Sequence, residues 1–362
     1  MIRIGIVGCG HIGTVHAFAL EQLIRADLVR ARVVAAHDVE VERAVAVAGL
    51  FEDARPVVEL DALLDAVDVV WNCTWTAGHR AVVDAAAARG LAIFCEKPLA
   101  PDLAAAEGLA AALRERPHQV GLVLRHAPLF RNVADAVASG RYGRPLATVF
   151  RDDQYFPIQG FYSSTWRADV AKAGGGTLIE HSIHDLDMLR MILGEPSSVQ
   201  AWTNCRFGHA GIEDLATVNL RYDDGSVATL VSIWHQILSR ESTRRLEVFC
   251  EDALLWTADD YLGPLHVQTA TGEEVIEGRA PAWMEAFELP EAFAKSLTQY
   301  AEPSKEFLDL LAGDPTASGR PSVDVALAAH RLVDAAYRSA ADGGRPVDLP
   351  GSLGPGAGGP RA

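Results

Sequence analysis

Short apolar runs alternate with longer runs of helical periodicity through the first 124 residues. The strand-like runs cover residues 2–7, 33–36, 67–73, 91–95 and 119–124. Between them, apolar positions recur at helical spacing in residues 14–20, 40–49, 61–66, 78–89 and 103–116. Because strands that alternate with helices pair in parallel, this part is predicted to form a parallel sheet with helices on both faces.

The pattern changes from about residue 146, where strands predominate. Strand-like runs cover residues 147–154, 199–206, 215–222, 226–234, 245–251 and 253–257. Asp224-Gly225 is typical of a hairpin turn between two of them. One helical pattern runs over 177–193, bounded by Gly176 and Gly194, and a later one covers 321–339. This part is therefore predicted as an antiparallel sheet with one apolar face, accompanied by few helices.

Composition and charge narrow the class of protein. The chain has 362 residues, of which 49% are hydrophobic, and this favours two domains with ordinary cores. Its formal net charge of -16 argues against nucleic acid as a partner, since phosphate binding needs an excess of Lys and Arg. The same charge argues weakly against an anionic membrane surface. A small molecule is the expected partner.

The cysteines and the N-terminus bear on the compartment. The five cysteines are odd in number and have no C-x-x-C spacing, so they are interpreted as buried thiols in a reducing cytoplasm. The N-terminus enters a strand at once and lacks the pattern of a signal peptide. No apolar run reaches the ~20 residues that cross a bilayer. We therefore expect a cytoplasmic protein.

A glycine-rich turn follows the first strand and opens the first helix. Gly8 permits the tight turn, Gly10 lets main-chain N–H groups approach a pyrophosphate, and Gly13 allows close helix packing. Asp38 ends the second strand, 25 residues after Gly13, where a carboxylate binds ribose hydroxyls and repels a 2′-phosphate. The pattern predicts a dinucleotide site that prefers NAD to NADP. The alternative is a glycine turn without a ligand.

These signals define the expected fold, which is α/β. A Rossmann dinucleotide-binding domain is predicted at 1–124 and a substrate-binding and oligomerisation α/β domain at 125–348. The second domain is expected to carry an open, mainly antiparallel sheet. Residues 349–362 are rich in Gly and Pro and are predicted to form a disordered tail.

Further polar residues follow the later strands of the parallel sheet. Ligands of such sheets bind beyond the carboxyl ends of the strands, so these residues are expected near the dinucleotide. Lys97 is the only lysine among the first 171 residues, and there it could polarise a substrate oxygen. An exposed turn lysine paired with Glu96 is the alternative. The predicted cofactor-binding residues are Gly8, Gly10, His11, Ile12, Gly13, Asp38, Cys73, Thr74, Trp75, His79, Glu96 and Lys97.

The helical pattern over 177–193 offers an acid and a base. Glu180, His184 and Asp187 share one face at helical spacing, so a carboxylate could tune an imidazole that accepts a proton. A solvated polar stripe is one alternative. A metal site is another, because His181, His184, Asp185 and Asp187 are ligand types, but no third spaced His or Cys supports it. No metal is expected.

An aromatic stretch precedes this helix. Tyr162, Trp166 and Arg167 could wall a sugar site, since aromatic rings stack on pyranoses and Arg binds hydroxyls. These three and Arg125 are the predicted substrate-binding residues. A packed loop without a ligand is the alternative.

Several of these segments together resemble the Gfo/Idh/MocA oxidoreductases. The resemblance spans residues 1 to 348 and rests on the segments at 5–13, 73–79, 96–98, 174–187 and 339–349, together with Asp38. It implies a dehydrogenase that commonly forms dimers or tetramers, with Lys97, Glu180 and His184 as its catalytic group. Three residues depart from the family pattern, where Asp, Gly and Pro are usual: Glu180, Ser182 and Trp75.

The sequence therefore predicts an NAD(P)-dependent oxidoreductase. It would transfer a hydride between a nicotinamide cofactor and a hydroxyl or keto group of a sugar, inositol or related polyol. An NAD-dependent glycosidase that uses transient oxidation is an alternative on the same scaffold. A non-enzymatic NAD-sensing regulator is a second alternative, against which the intact Lys97 and His184 argue.

Overall fold

A computed structural model describes residues 1–160, 162–258, 262–317 and 321–349. The chain divides into two compact units, each assembled from separate stretches. The first unit comprises residues 1–128, 164–174 and 279–330. The second comprises residues 129–163, 175–278 and 331–362, as far as these are described. As domain limits, the contiguous ranges 1–124 and 125–348 stay a prediction, and apart from Leu349 the predicted tail lies outside the described residues.

Strands and helices alternate early in the chain and strands predominate later. The strands are β1 (Ile2–Val7), β2 (Ala31–His37), β3 (Arg55–Pro56), β4 (Val69–Asn72), β5 (Ala92–Cys95), β6 (His118–Val120), β7 (Pro145–Tyr155), β8 (Ser198–Asn204), β9 (Leu215–Arg221), β10 (Val227–His235), β11 (Thr243–Cys250), β12 (Ala253–Trp256), β13 (Leu265–Thr269), β14 (Gly272–Ile276) and β15 (Val347–Asp348). The helices are α1 (His11–Arg25), α2 (Val41–Ala48), α3 (Leu60–Leu64), α4 (His79–Ala88), α5 (Leu103–Arg114), α6 (Pro128–Ala138), α7 (Val170–Ala173), α8 (Thr177–Glu180), α9 (Ile183–Leu193), α10 (Glu291–Leu311) and α11 (Val323–Ala341).

The first unit contains a six-stranded parallel sheet. Its order, β3-β2-β1-β4-β5-β6, is that of a Rossmann sheet, with the switch point between β1 and β4. Apart from the exposed edge strand β3, each strand is short and mostly buried, because helices cover both faces of the sheet. The predicted parallel sheet is confirmed, and its carboxyl edge carries the glycine turn, Thr74 and Lys97.

Two apolar cores lie on opposite faces of this sheet. On one face, Ile4 and Ile6 of β1 pack with Leu20 of α1 and with Phe307 of α10. On the other face, a second cluster joins residues of β4 and β5 to α4, α5 and the start of α11. Residues 279–330 therefore complete the core of a sheet that is encoded at the beginning of the chain.

The second unit contains a nine-stranded mixed sheet in the order β14-β13-β12-β11-β7-β10-β9-β8-β15. Among the described strands, β7 and β10 pair in parallel and every other pair is antiparallel. Successive residues alternate between a buried inner face and a partly exposed outer face, as in β10 and β11. The predicted open, mainly antiparallel sheet is confirmed, including the hairpin at Asp224-Gly225.

The predicted continuous helix over 177–193 is wrong, because the chain forms α8 and α9 with a break at His181 and Ser182. The Ser182 N–H donates to the Thr177 carbonyl at 2.8 Å, five residues back, so the winding opens by one residue. The Ser182 hydroxyl donates to Asp152 Oδ2 at 3.1 Å. Polar partners on the sheet therefore hold the break in place.

Three of the described helices, α6, α7 and α10, were not predicted from the pattern. α6 follows the last strand of the parallel sheet, and α10 extends over 21 residues with Pro303 inside it. Proline within a helix removes one main-chain hydrogen bond, which lowers the helical signal in the sequence. The strand predicted over 119–124 is also shorter in the structure, since β6 ends at Val120 and a 3₁₀ turn covers Val123–His126.

Candidate active site

The glycine turn has the shape of a phosphate cradle. Gly8 has a φ of +87°, and a Cβ there would lie 2.5 Å from the main chain of Cys73. A Cβ on Gly13 would lie 2.0 Å from the Gly8 carbonyl oxygen, so α1 could not approach the strand. At Gly10 the nearest atom is a guanidinium nitrogen of Arg43 at 4.0 Å, which leaves the front of the turn open. The turn therefore fits a dinucleotide pyrophosphate.

The helix end behind the cradle is uncapped by side chains. α1 begins at His11 with Gly10 as its N-cap, without a side-chain cap bond and without an acidic residue in the first turn. The positive end of the helix is thus available to an anion that lies before His11, Ile12 and Gly13. These residues lie where a cofactor-binding role was predicted.

Asp38 is fixed at the end of β2. Its Oδ2 accepts the Cys9 N–H at 2.6 Å and its Oδ1 accepts the Glu40 N–H at 2.8 Å. The side chain is 9% exposed, so the carboxylate is held in one orientation at the edge of the turn. The geometry fits the ribose-binding acid of an NAD site.

The loop after β4 is tied together by Asn72. The Asn72 side chain accepts the Thr74 hydroxyl at 2.9 Å and donates to the His79 carbonyl at 3.1 Å. Burial raises the pKa of the Cys73 thiol and lowers that of the His79 imidazole. The ammonium of Lys172 lies 5.5 Å above the Trp75 ring, a cation–π contact within the first unit.

Lys97 follows β5 at the carboxyl edge of the same sheet. Its side chain is partly exposed, and a role of Lys97 in polarising a substrate oxygen stays a prediction. Glu96 beside it is 4% exposed, and its carboxylate contacts His16 at 2.7 Å. The Lys97–Pro98 peptide bond is cis.

The predicted substrate-binding residues fall in both units. Arg125, Trp166 and Arg167 belong to the first unit, where Arg167 lies over the Trp166 ring at 4.4 Å. Burial, followed by the charge of Arg167, lowers the pKa of His11 in the same unit. Tyr162 belongs to the second unit and packs against Tyr155 with ring centroids 5.5 Å apart.

Glu180 and His184 belong to the second unit and are buried. Glu180 ends α8 at 1% exposure, and His184 lies in the first turn of α9 at 7%. Asp187 is fully buried and accepts a hydrogen bond from Arg190 at 3.0 Å. The alternative of a solvated polar stripe is therefore wrong. The predicted common face does not exist as a regular helix face, because the chain breaks between Glu180 and His184.

A buried ionic network lies next to these residues and was not predicted from the sequence. Arg244 donates to Asp185 Oδ1 at 2.9 Å and contacts His181 Nε2 at 2.7 Å. His181 and Ser182 both contact Asp152, which is 1% exposed. Burial, with the nearby Asp152 charge, raises the pKa of Asp185 to about 7. No sequence signal pairs these residues, because they come from β7, the helix break, α9 and β11.

Arg244 also bears on the metal alternative. Its guanidinium supplies the positive charge beside His181 and Asp185 that a metal ion would otherwise supply. Within the described residues, the one group with metal-type ligand atoms within 4.8 Å of one another is His126, Glu302 and Glu306, in the first unit. Acidic groups at this spacing are common without a metal.

Comparison with known proteins identifies the family. A model of the oxidoreductase family with an NAD-binding Rossmann fold matches residues 2–123, and a GFO/IDH/MocA C-terminal domain model matches residues 130–255. An inositol 2-dehydrogenase of Rhizobium meliloti strain 1021 is 32% identical over 358 residues, which cover 94% of this chain and 97% of the relative. The chain belongs to the Gfo/Idh/MocA oxidoreductase family.

Solved structures of the family share the fold. A putative myo-inositol dehydrogenase from Sinorhizobium meliloti 1021 superposes with a TM-score of 0.75 at 26% identity, covering 96% of this chain and 99% of that one. A levoglucosan dehydrogenase in complex with NADH and levoglucosan gives a TM-score of 0.81 at 21% identity, covering 96% and 99%.

These findings settle the class of protein. The predicted family, the two-part α/β fold, the NAD cofactor and the activity of an oxidoreductase on a CH–OH group are confirmed. A small molecule is therefore its substrate. In the part of the chain that the structure describes, every helix is too short or too polar to cross a membrane.

Proposed function

We propose that this oxidoreductase oxidises a ring hydroxyl of an inositol or a related sugar with NAD. The observation that carries the proposal is the burial of a carboxylic acid and an imidazole, Glu180 and His184, in a chain with an NAD cradle. A relative named inositol 2-dehydrogenase, which matches 94% of the chain, supports the substrate class.

Each side chain has a defined task in this proposal. NAD supplies the hydride acceptor when it is bound. His184 accepts the proton of the substrate hydroxyl as the carbon loses its hydride. Lys97 donates a hydrogen bond to the same oxygen and stabilises the charge that develops there. Glu180 binds a neighbouring hydroxyl or holds His184, and Arg125, Tyr162, Trp166 and Arg167 bind the remainder of the substrate.

The test is NADH formation with myo-inositol and a panel of sugars and polyols. Loss of a general base costs roughly 10²–10⁴-fold in turnover, so His184→Ala is expected to fall in that range. Lys97→Met is expected to lower kcat at least tenfold. If both variants turn over the best substrate within threefold of wild type, the proposed chemistry is wrong. Glycoside cleavage without NADH accumulation would instead support a glycosidase.

The preference for NAD is assigned to Asp38. Asp38→Asn removes the charge that repels a 2′-phosphate and can still accept one of the two main-chain N–H groups, of Cys9 and Glu40, that the carboxylate accepts. We expect the ratio of NADP to NAD dissociation constants to fall at least tenfold, as measured by titration of cofactor fluorescence. Asp53→Asn, which alters a surface ion pair with Arg32, is the matched control. Tighter binding of NADP by the wild type would contradict the preference.

Two further features bear on how copies of the chain assemble and on the compartment that contains the protein. The outer face of the nine-stranded sheet is exposed at several large apolar residues, and we propose that it joins two or four copies of the chain. All five cysteines are free thiols, four of them buried, and this supports a reducing compartment such as the cytoplasm.

A further inference from the structure

Three buried histidines without a task in the proposed chemistry surround the loop that carries Lys97. His16, His79 and His330 all belong to the first unit and are at most 1% exposed. They come from α1, α4 and α11, whereas the loop follows β5. Burying a polar ring costs free energy unless it is hydrogen-bonded, so their partners indicate what they hold.

Of the three histidines, His16 is connected most directly with Lys97, through the side chain of Glu96. His16 Nε2 lies 2.7 Å from Glu96 Oε1. The other carboxylate oxygen, Oε2, accepts the main-chain N–H of Lys97 at 3.1 Å. Two hydrogen bonds therefore connect α1, directly behind the dinucleotide cradle, with the main chain of Lys97.

The residues around His16 and Glu96 determine which ring nitrogen of His16 donates to the Glu96 carboxylate. A Cβ on Gly121 would lie 2.4 Å from Glu96 Oε1, so the carboxylate occupies the space that this glycine leaves. The His16 ring makes edge contacts with Phe94 and Tyr300, with centroids at 4.9 and 5.4 Å. Its Nδ1 is buried and without a partner among the described residues. The Nε2–H therefore donates to Glu96, and Nδ1 keeps its lone pair.

The other side of the loop is held as well. His330 Nε2 accepts the main-chain N–H of Leu99 at 2.9 Å, and burial lowers the pKa of His330 to about 4, which keeps that nitrogen an acceptor. The ring nitrogens of His79 lie 3.1 Å from the Thr74 carbonyl oxygen and 3.3 Å from that of Leu99. Lys97 thus lies between two fixed points of main chain.

We propose that His16 is a positioning residue for Lys97 and acts through Glu96. The inference rests on the proposed role of Lys97. It assigns to a histidine of the cofactor-binding helix the task of holding the main chain from which the ammonium group reaches the substrate. A side chain that only filled space at this point would need no donor toward a carboxylate, since Phe94 and Tyr300 already form an apolar wall.

The first experiment compares four variants with the wild type. His16→Leu removes the donor, His16→Gln keeps an amide near the position of Nε2, and His16→Asn keeps polarity but falls short of Glu96. His118→Leu is the matched control, because His118 accepts the Val323 N–H at the amino-terminal end of the sheet. With myo-inositol, kcat is expected to fall at least tenfold in His16→Leu and His16→Asn. His16→Gln and His118→Leu should stay within threefold, and the dissociation constant of NAD should stay within threefold in all four.

A readout without turnover uses the lysines themselves. The chain has four lysines, Lys97, Lys172, Lys295 and Lys305, so ¹³C-dimethylation gives few signals, and Lys97→Met assigns the relevant one. In the protein without cofactor, His16→Leu or His16→Asn should shift or broaden the Lys97 signal alone. Movement of all four signals would show a general loss of structure and would overturn the proposal, as would an unchanged Lys97 signal.

A double-mutant cycle separates this inference from the proposed function. In a Lys97→Met background, His16→Leu should change the residual kcat less than twofold, because its effect passes through the missing lysine. An equal tenfold loss in both backgrounds would overturn the positioning role of His16. Full turnover in Lys97→Met alone would overturn the role of Lys97 in the proposed function.

Discussion

Asp185 lies next to His184, the proposed base, and its carboxyl group is buried beside a second carboxylate. It is fully buried, its Oδ1 accepts from Arg244, and its Oδ2 has no hydrogen-bond partner among the described residues. Asp152 lies close by and also contacts Arg244, at 3.8 Å. Two carboxylates therefore share one guanidinium, and burial makes the second negative charge costly. This is why the pKa of Asp185 rises to about 7.

A pH-dependent stability follows from this residue. The folded protein keeps the Asp185 proton up to about pH 7, whereas the unfolded chain releases it near 3.8. The free energy of unfolding should therefore fall as pH rises through this window, by up to about 1.4 kcal/mol per pH unit from this group. Asp185→Asn, whose Oδ1 still accepts from Arg244, should gain stability over wild type on going from pH 5 to pH 8. Urea unfolding at both pH values measures it, and an equal pH dependence in the two proteins would refute it.

Single residues differed in how far the sequence could predict them. Gly8 and Gly13 could be predicted because a tight turn and a closely packed helix leave no room for a Cβ, and Asp38 because a carboxylate after the second strand suits ribose hydroxyls. The pairing of His16 with Glu96 joins residues 80 positions apart, and no periodicity encodes such a contact. Buried polar networks depend on which side chains meet in three dimensions, so they cannot be predicted from the pattern of the sequence.

At the level of elements, the break between α8 and α9 depends on a line of hydroxyl groups. Thr177 Oγ1 lies 2.7 Å from Ser232 Oγ, which lies 2.6 Å from Ser182 Oγ, and Ser182 donates to Asp152. All four side chains are at most 2% exposed. The helical pattern over 177–193 is real in the sequence, but these tertiary bonds override it at Ser182.

Removal of the Ser182 hydroxyl should therefore destabilise the second unit. Ser182→Ala leaves Ser232 and Asp152 each one partner short in a buried place, which costs about 1–3 kcal/mol. Ser197→Ala, which loses an exposed bond to the Arg221 carbonyl, should change stability by less than about 0.5 kcal/mol. Chemical unfolding of both variants measures the difference, and equal small losses would show that the hydroxyl line does not hold the break.

Most of the parallel sheet could be predicted, whereas α10 and its place could not. Short buried strands and Ala-rich helices follow one another closely between residues 2 and 114, so local pattern suffices there. α10 begins 171 residues after β6 ends, yet its Phe307 packs against Trp71 of β4 at a centroid distance of 5.9 Å. The sequence pattern does not indicate that α10 packs against this sheet, and only the structure shows it.

On the scale of the whole molecule, the outer face of the second sheet carries an apolar row. Val227, Ala147, Phe249 and Leu254 lie side by side across β10, β7, β11 and β12. Val227 is 47% exposed and Phe249 41%. An apolar row of this kind on an open sheet is typical of a surface that another copy covers.

A charge in this row should separate the copies. Phe249→Glu buries an unpaired carboxylate in any interface formed there, and we expect the mass measured by light scattering after size exclusion to fall to that of one chain. Val58→Glu, at a residue 65% exposed in the first unit, is the matched control and should keep the wild-type mass. A wild type that is monomeric, or a Phe249→Glu protein of unchanged mass, would contradict the proposed interface.

The return of residues 279–330 to the first sheet has a consequence for synthesis. While the ribosome is still making the second unit, Trp71 and the apolar face of α1 lack the partners that α10 brings, among them Phe307 and Leu308. The nascent cofactor-binding unit stays unfinished until residue 330 has emerged. Until then, its exposed apolar face is expected to bind chaperones. A messenger RNA truncated after the glycine turn would encode an aggregation-prone fragment and not a small NAD-binding protein.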